Sequence, residues 1–76
     1  METQVKTYKN LRNKTIVNVG DLFRFRNTKV DYLVVVTKIF KPFSSRWGVE
    51  VKFVNNDNGY TTFWAAKFSS RWYKVS

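Results

Sequence analysis

The sequence predicts an all-β protein, a single antiparallel domain of five short strands over residues 15–76 preceded by a basic arm over residues 1–14. Three observations carry that prediction. The run Leu22-Phe23-Arg24-Phe25-Arg26 alternates apolar and charged residues, and side chains of a strand point to opposite faces in turn. Residues 32–40 are the densest stretch of β-branched and aromatic side chains, the types that pleated sheets accommodate best. Turn signals at Gly20-Asp21, Asn27-Thr28-Lys29, Lys41-Pro42 and Asn58-Gly59 cut the chain into pieces of strand length. A chain of 76 residues has room for one modest core, and at 43% hydrophobic and 18% aromatic it is too rich in core-forming residues to stay unfolded.

The arm carries Lys6, Lys9, Arg12 and Lys14 against Glu2 and shows no sustained period; a short edge strand near residues 5–8 is the alternative. Ile16, Val17 and Val19 lead into the Gly20-Asp21 turn. In the first strand Phe23 and Phe25 face the core and Arg24 and Arg26 face away. The second strand, residues 32–40, is buried at its centre and ends at Lys41-Pro42, because proline cannot donate to a ladder; residues 43–46 form the connecting loop. In the third strand, residues 47–54, Val49, Val51 and Phe53 share one face while Glu50 and Lys52 share the other, with Lys or Arg expected across from Glu50. Asn58-Gly59 tolerates the positive φ angles of a tight hairpin and leads into residues 60–66, with Trp64 assigned to the core. Residues 66–70 suit a single helical turn, and residues 72–75 a last short strand.

Five nearest-neighbour strands with a helical turn before the last resemble the small SH3-like barrels. The likeness runs over residues 17–75 and rests on the Gly20-Asp21-Leu22-Phe23 entry, the long second strand, the Asn-Gly hairpin and the closing strand. It implies a closed five-stranded antiparallel barrel with binding loops at its ends; an open five-stranded sheet and an OB-like barrel are the alternatives. In its small size and basic character the chain is also similar to accessory proteins encoded by bacteriophages.

Catalytic chemistry finds little to work with. Histidine and cysteine are absent, which removes the usual nucleophile–base pairs, disulfides and zinc sites. The five acids, Glu2, Asp21, Asp31, Glu50 and Asp57, stand singly, and Gly20, Gly48 and Gly59 form no phosphate loop. We therefore expect no enzyme, no cofactor and no metal. The longest apolar run, residues 32–36, is far short of a membrane span, and residues 1–14 lack the apolar segment of a secretory signal, so a cytoplasmic protein is expected.

The partner is suggested by charge. Fourteen Lys and Arg against five Asp and Glu give a net +9, a surface that attracts polyanions. The pentapeptide Phe-Ser-Ser-Arg-Trp occurs at residues 43–47 and again at residues 68–72, each with a lysine upstream, Lys41 and Lys67. Arginine beside tryptophan supplies a cation for phosphate and a ring for a base. If the copies meet, Arg46 and Arg71 form a pair with both lysines nearby. Fourteen aromatics are more than so small a core encloses, since each large ring removes roughly 150–250 Å² from water. Exposed rings are expected at Trp47, Trp72, Tyr60 and Tyr8. The expected interface thus joins Arg24, Arg26, Lys38, Lys41, Arg46, Lys67 and Arg71, on phosphates of DNA or RNA, with Trp47, Tyr60 and Trp72 on bases. The alternative is a protein-binding module docking on an acidic patch of a larger partner, whose affinity would fall much less steeply with salt. Either a monomer or an edge-paired dimer suits the chain.

Overall fold

The computed structural model describes residues 2–76 and is mostly β with one short helix. Its strands are β1 (Thr3–Val5), β2 (Thr7–Lys9), β3 (Ile16–Asn18), β4 (Leu22–Arg26), β5 (Asp31–Phe43), β6 (Arg46–Phe53), β7 (Tyr60–Trp64) and β8 (Tyr73–Lys74), with helix α1 (Ala65–Arg71) between the last two. A six-stranded sheet runs β7-β6-β5-β4-β8 with β1 added beside β5, and β2 and β3 form a separate two-stranded ribbon. All of these pairings are antiparallel. None of the described helices is long and apolar enough to cross a membrane.

Strand β5 organises the sheet. Its first half pairs with β4, placing Val34 opposite Phe23, and its second half pairs with β1, placing Ile39 opposite Val5. Its other edge carries β6, with register shifts between Val36 and Lys38 and between Phe40 and Phe43. The second shift explains why Pro42 does not end the strand. It falls in the interruption between the Phe40–Gly48 and Phe43–Arg46 pairs, where no regular ladder bond is required of it. The connecting loop expected over residues 43–46 contracts to Ser44 and Ser45, whose φ angles of 51° and 65° give the doubly left-handed turn that matches hairpin twist.

Alternation and helix spacing together assemble the core. Phe23, Val34, Val36, Ile39, Val49 and Val51 come from the sheet, Val17 from the ribbon, and Ala65 and Phe68 from α1, all with at most 1% of their surface exposed. Burying each larger side chain contributes about 1.5–3 kcal/mol. The sheet is open where the sequence predicts a closed five-stranded barrel: β7 and β8 end it without pairing, because the intervening chain is wound into α1. The helix drops Phe68 onto Phe23, with ring centroids 4.8 Å apart.

Gly48 marks a close approach. A Cβ there would lie 2.8 Å from the Cβ of Phe43 and 3.1 Å from the ring of Phe40, and the first of these cannot swing aside. Gly48→Ala is expected to lower stability by about 1–3 kcal/mol, the usual effect of overpacking, read as a lower urea midpoint at unchanged slope. An unshifted midpoint would mean that the Phe43 turn relaxes freely.

Of the first fourteen residues, those of β1 pair with β5 and those of β2 with β3, and the loop after β2 is fastened to α1. Asn10 is buried; its side-chain amide donates to the Ser69 hydroxyl at 2.7 Å and to the Ala66 carbonyl at 3.2 Å, while its oxygen accepts the Arg12 N–H at 2.9 Å. Asn10→Ala leaves buried polar groups short of partners and is expected to cost about 1–3 kcal/mol by the same assay. A loss under about 0.5 kcal/mol would show that water replaces the amide at no penalty.

Candidate functional site

The side chains that converge outside the core do so around Trp64. In β7, Phe63 packs against the core cluster, so Trp64, its neighbour, is turned to the opposite face of the sheet. There it sits across from Gly48, which offers no side chain to cover it. Arg46 lies two residues before Gly48 on the same face of β6, and its guanidinium carbon is 4.6 Å from the Trp64 ring centroid. Lys67 follows Trp64 by three residues, in the first turn of α1, and its ammonium is 5.1 Å from the same centroid. Trp64 is therefore half-buried beneath two cations, not a core residue as its place in mid-strand suggests.

Tyr8, Arg46, Trp47, Trp64, Ala66 and Lys67 line one cleft of about 290 Å³. Two neighbouring clefts share parts of this lining and add Lys9 and Arg12 on one side and Asn13 and Ser70 on the other. The combined surface carries four cations, Lys9, Arg12, Arg46 and Lys67, beside the half-buried rings of Tyr8, Trp47 and Trp64; Tyr8 and Trp47, expected to be exposed, pack on one side against the core, and no carboxylate lines any of the three clefts. The ring of Trp47 also lies 5.8 Å from the ammonium of Lys41.

Elsewhere the expected phosphate ligands are partly engaged. Arg24 makes a two-pronged pair with Asp31, at 2.8 Å from Nε and 2.5 Å from Nη2. The hydrogen bond from Arg24 holds the Asp31 carboxyl below the ordinary carboxylate range, and the same bond raises the Arg24 guanidinium. A depressed carboxyl contributes stability that is present above the ordinary carboxylate pKa and is lost as pH falls through the lowered value. Because both groups are exposed, that contribution is small. Lys38 pairs with Glu2 at 2.6 Å, not with Glu50, although Glu50 is its register partner; the Glu50 carboxylate accepts from the Thr37 hydroxyl instead. Lys74 pairs with Asp21 at 3.0 Å. Arg26 is exposed at the end of β4, and Tyr60 is exposed on β7 with the Lys52 ammonium 5.8 Å from its ring.

The two copies of the pentapeptide adopt unrelated conformations. In the first, Phe43 ends β5, the serines turn, and Arg46-Trp47 opens β6. In the second, Phe68 through Arg71 lie in α1, with Phe68 and Ser69 buried and Trp72 just past the helix end, its N–H donating to the Phe68 carbonyl. Trp72 is half-buried against Phe25, Phe63 and Phe68 at centroid distances of 5.3–5.5 Å. Arg46 and Arg71 line different clefts, and Lys67 lines both. Among the expected site residues the fold thus gathers Arg46, Trp47 and Lys67, with Lys41 beside Trp47, and leaves Arg24, Arg26, Lys38, Tyr60, Arg71 and Trp72 outside this lining. Trp64, Lys9 and Arg12 join without having been expected. The signal for Trp64 was the adjacent Phe63, since two successive strand residues cannot both face the core.

Among the described residues no three His, Cys, Asp or Glu cluster as a metal site. Comparison with known proteins yields no match, whether to a family model, to a curated protein or to a solved structure.

Proposed function

We propose that this protein binds nucleic acid without catalysing a reaction, gripping phosphates with Arg46, Lys67, Arg12 and Lys9, the first two seated on the Trp64 ring, and stacking bases on Tyr8 and Trp47. The observation that carries the reading is the run of three adjoining clefts lined by these cations and rings and by no carboxylate. Each stacked base is worth about 1–3 kcal/mol, and each cation supplies a salt-sensitive phosphate contact. Packing of Arg46 and Lys67 against Trp64 restricts two long side chains before the ligand arrives, which lowers the entropy lost on binding. In architecture, the succession β4, β5, β6, β7, α1 and β8, with β8 returning to pair with β4, supports an SH3-like barrel left open between its ends.

The test is titration against labelled single-stranded DNA, duplex DNA and RNA, at low and at near-physiological salt. Four phosphate contacts on a single strand predict that log K falls against log salt with a slope near about −3, at roughly 0.7 per contact. Retained binding at the higher salt for at least one ligand supports the proposal. Loss of all three there would turn the search toward an acidic protein surface.

A further inference from the structure

We propose that the cleft beside Trp72 receives one unpaired base of a nucleic-acid strand, with the flanking phosphate held by Arg71 and Lys67. This rests on the nucleic-acid reading and names its substrate as single-stranded. The cleft lies away from Trp64, between β4, β5, the end of β6, β7 and the end of α1, and measures about 290 Å³. Its walls are the rings of Phe25, Tyr32, Phe53, Phe63 and Trp72, with the buried Phe68 beneath them. The remaining lining is two exposed cations, Lys67 and Arg71, and no carboxylate.

Walls made of rings favour a flat apolar occupant, and a cationic margin favours one attached to an anion. A nucleotide base with its phosphate has both properties. The volume sits at the lower edge of the roughly 300–1,000 Å³ of small-molecule pockets, room for one base with its sugar and phosphate outside. A duplex keeps its base faces in the stack, so a concave aromatic site is reached only by a base that is already unpaired. Lys67 supplies the connection, since it lines both this cleft and the one around Trp64. A strand crossing α1 therefore meets Arg46 and Lys67 first, then Lys67 and Arg71, with a ring-lined hollow on either side.

The experiment follows the indole N–H resonances of the intact protein, assigned with Trp47→Phe, Trp64→Phe and Trp72→Phe, during titration with oligothymidine, an abasic oligomer of equal length, and thymidine monophosphate. Oligothymidine is expected to shift the Trp72 indole saturably, together with that of Trp64. The abasic strand is expected to bind at least about fivefold more weakly, for want of stacking, and to leave Trp72 unmoved. Arg71→Ala is expected to weaken oligothymidine binding severalfold while preserving the Trp64 response. Binding of oligothymidine that moves Trp64 and never Trp72 would overturn the cleft assignment and leave the nucleic-acid reading standing. Absence of oligothymidine binding at near-physiological salt overturns the single-strand cleft assignment, and the nucleic-acid reading falls with it only if duplex DNA and RNA also fail to bind there. Equal affinity for the monophosphate and the strand would make the cleft a free-nucleotide site and overturn its assignment to a strand.

Discussion

Replacing Arg46 and Lys67 together by alanine is expected to weaken single-strand binding about thirtyfold at near-physiological salt while leaving the fold intact. Each cation contributes roughly 1 kcal/mol to a phosphate contact once screening is allowed for, and the two together amount to about 2 kcal/mol. The slope of log K against log salt should become shallower by about 1.4, two contacts at roughly 0.7 each. Stability should change little, because both side chains are exposed and neither belongs to an ion pair among the described residues. Arg24→Ala combined with Lys38→Ala is the matched control. It removes the same two charges from residues already committed to Asp31 and Glu2, and at most a twofold loss is expected. Fluorescence anisotropy and circular dichroism together decide the matter. Equal losses from the control and the double variant would mean that net charge alone holds the ligand, with no defined site.

Phe68→Ala is expected to have the largest effect on the fold. The ring is 1% exposed and touches Phe23 at 4.8 Å, Trp72 at 5.3 Å and Phe63 at 5.7 Å, so its removal empties the junction between helix and sheet. Truncations of this kind cost about 3–5 kcal/mol, a large part of the roughly 5–15 kcal/mol that holds a typical domain together. At about 4–8 °C per kcal/mol for a domain of this size, the melting temperature should fall by more than about 12 °C. Phe68→Leu, which keeps most of the volume, should cost under about 1.5 kcal/mol. A melting temperature within a few degrees of the parent for Phe68→Ala would show that α1 contributes little to holding the sheet.

The strands were legible because two-residue alternation is a local signal. Leu22-Phe23-Arg24-Phe25-Arg26 and the Val49, Val51 and Phe53 face could each be assigned without knowledge of any other segment, as could the short helix before the last strand. What escaped was set by tertiary pairing. Pro42 reads as a terminator until β6 supplies the register shift that accommodates it. The Phe-Ser-Ser-Arg-Trp copies read as equivalent, yet β6 draws one into a hairpin turn while the core draws the other into a helix around buried Phe68. The candidate surface was half legible. Charge and aromatic content singled out Arg46, Trp47 and Lys67, but the place of Trp64 depends on the missing side chain of Gly48, and that of Arg12 on the tie between Asn10 and Ser69.

That tie couples affinity to folding. Asn10 and Ser69 are fifty-nine residues apart in sequence, so a growing chain completes the Tyr8–Arg12 side of the clefts only after α1 has formed. A partly synthesised or locally opened chain holds the same charges without their arrangement, and ligand should in turn select the closed form. At one hundred times its dissociation constant, a ligand that binds only the folded state would add about 2.7 kcal/mol to stability. The join between the two termini makes occupancy readable as thermal protection.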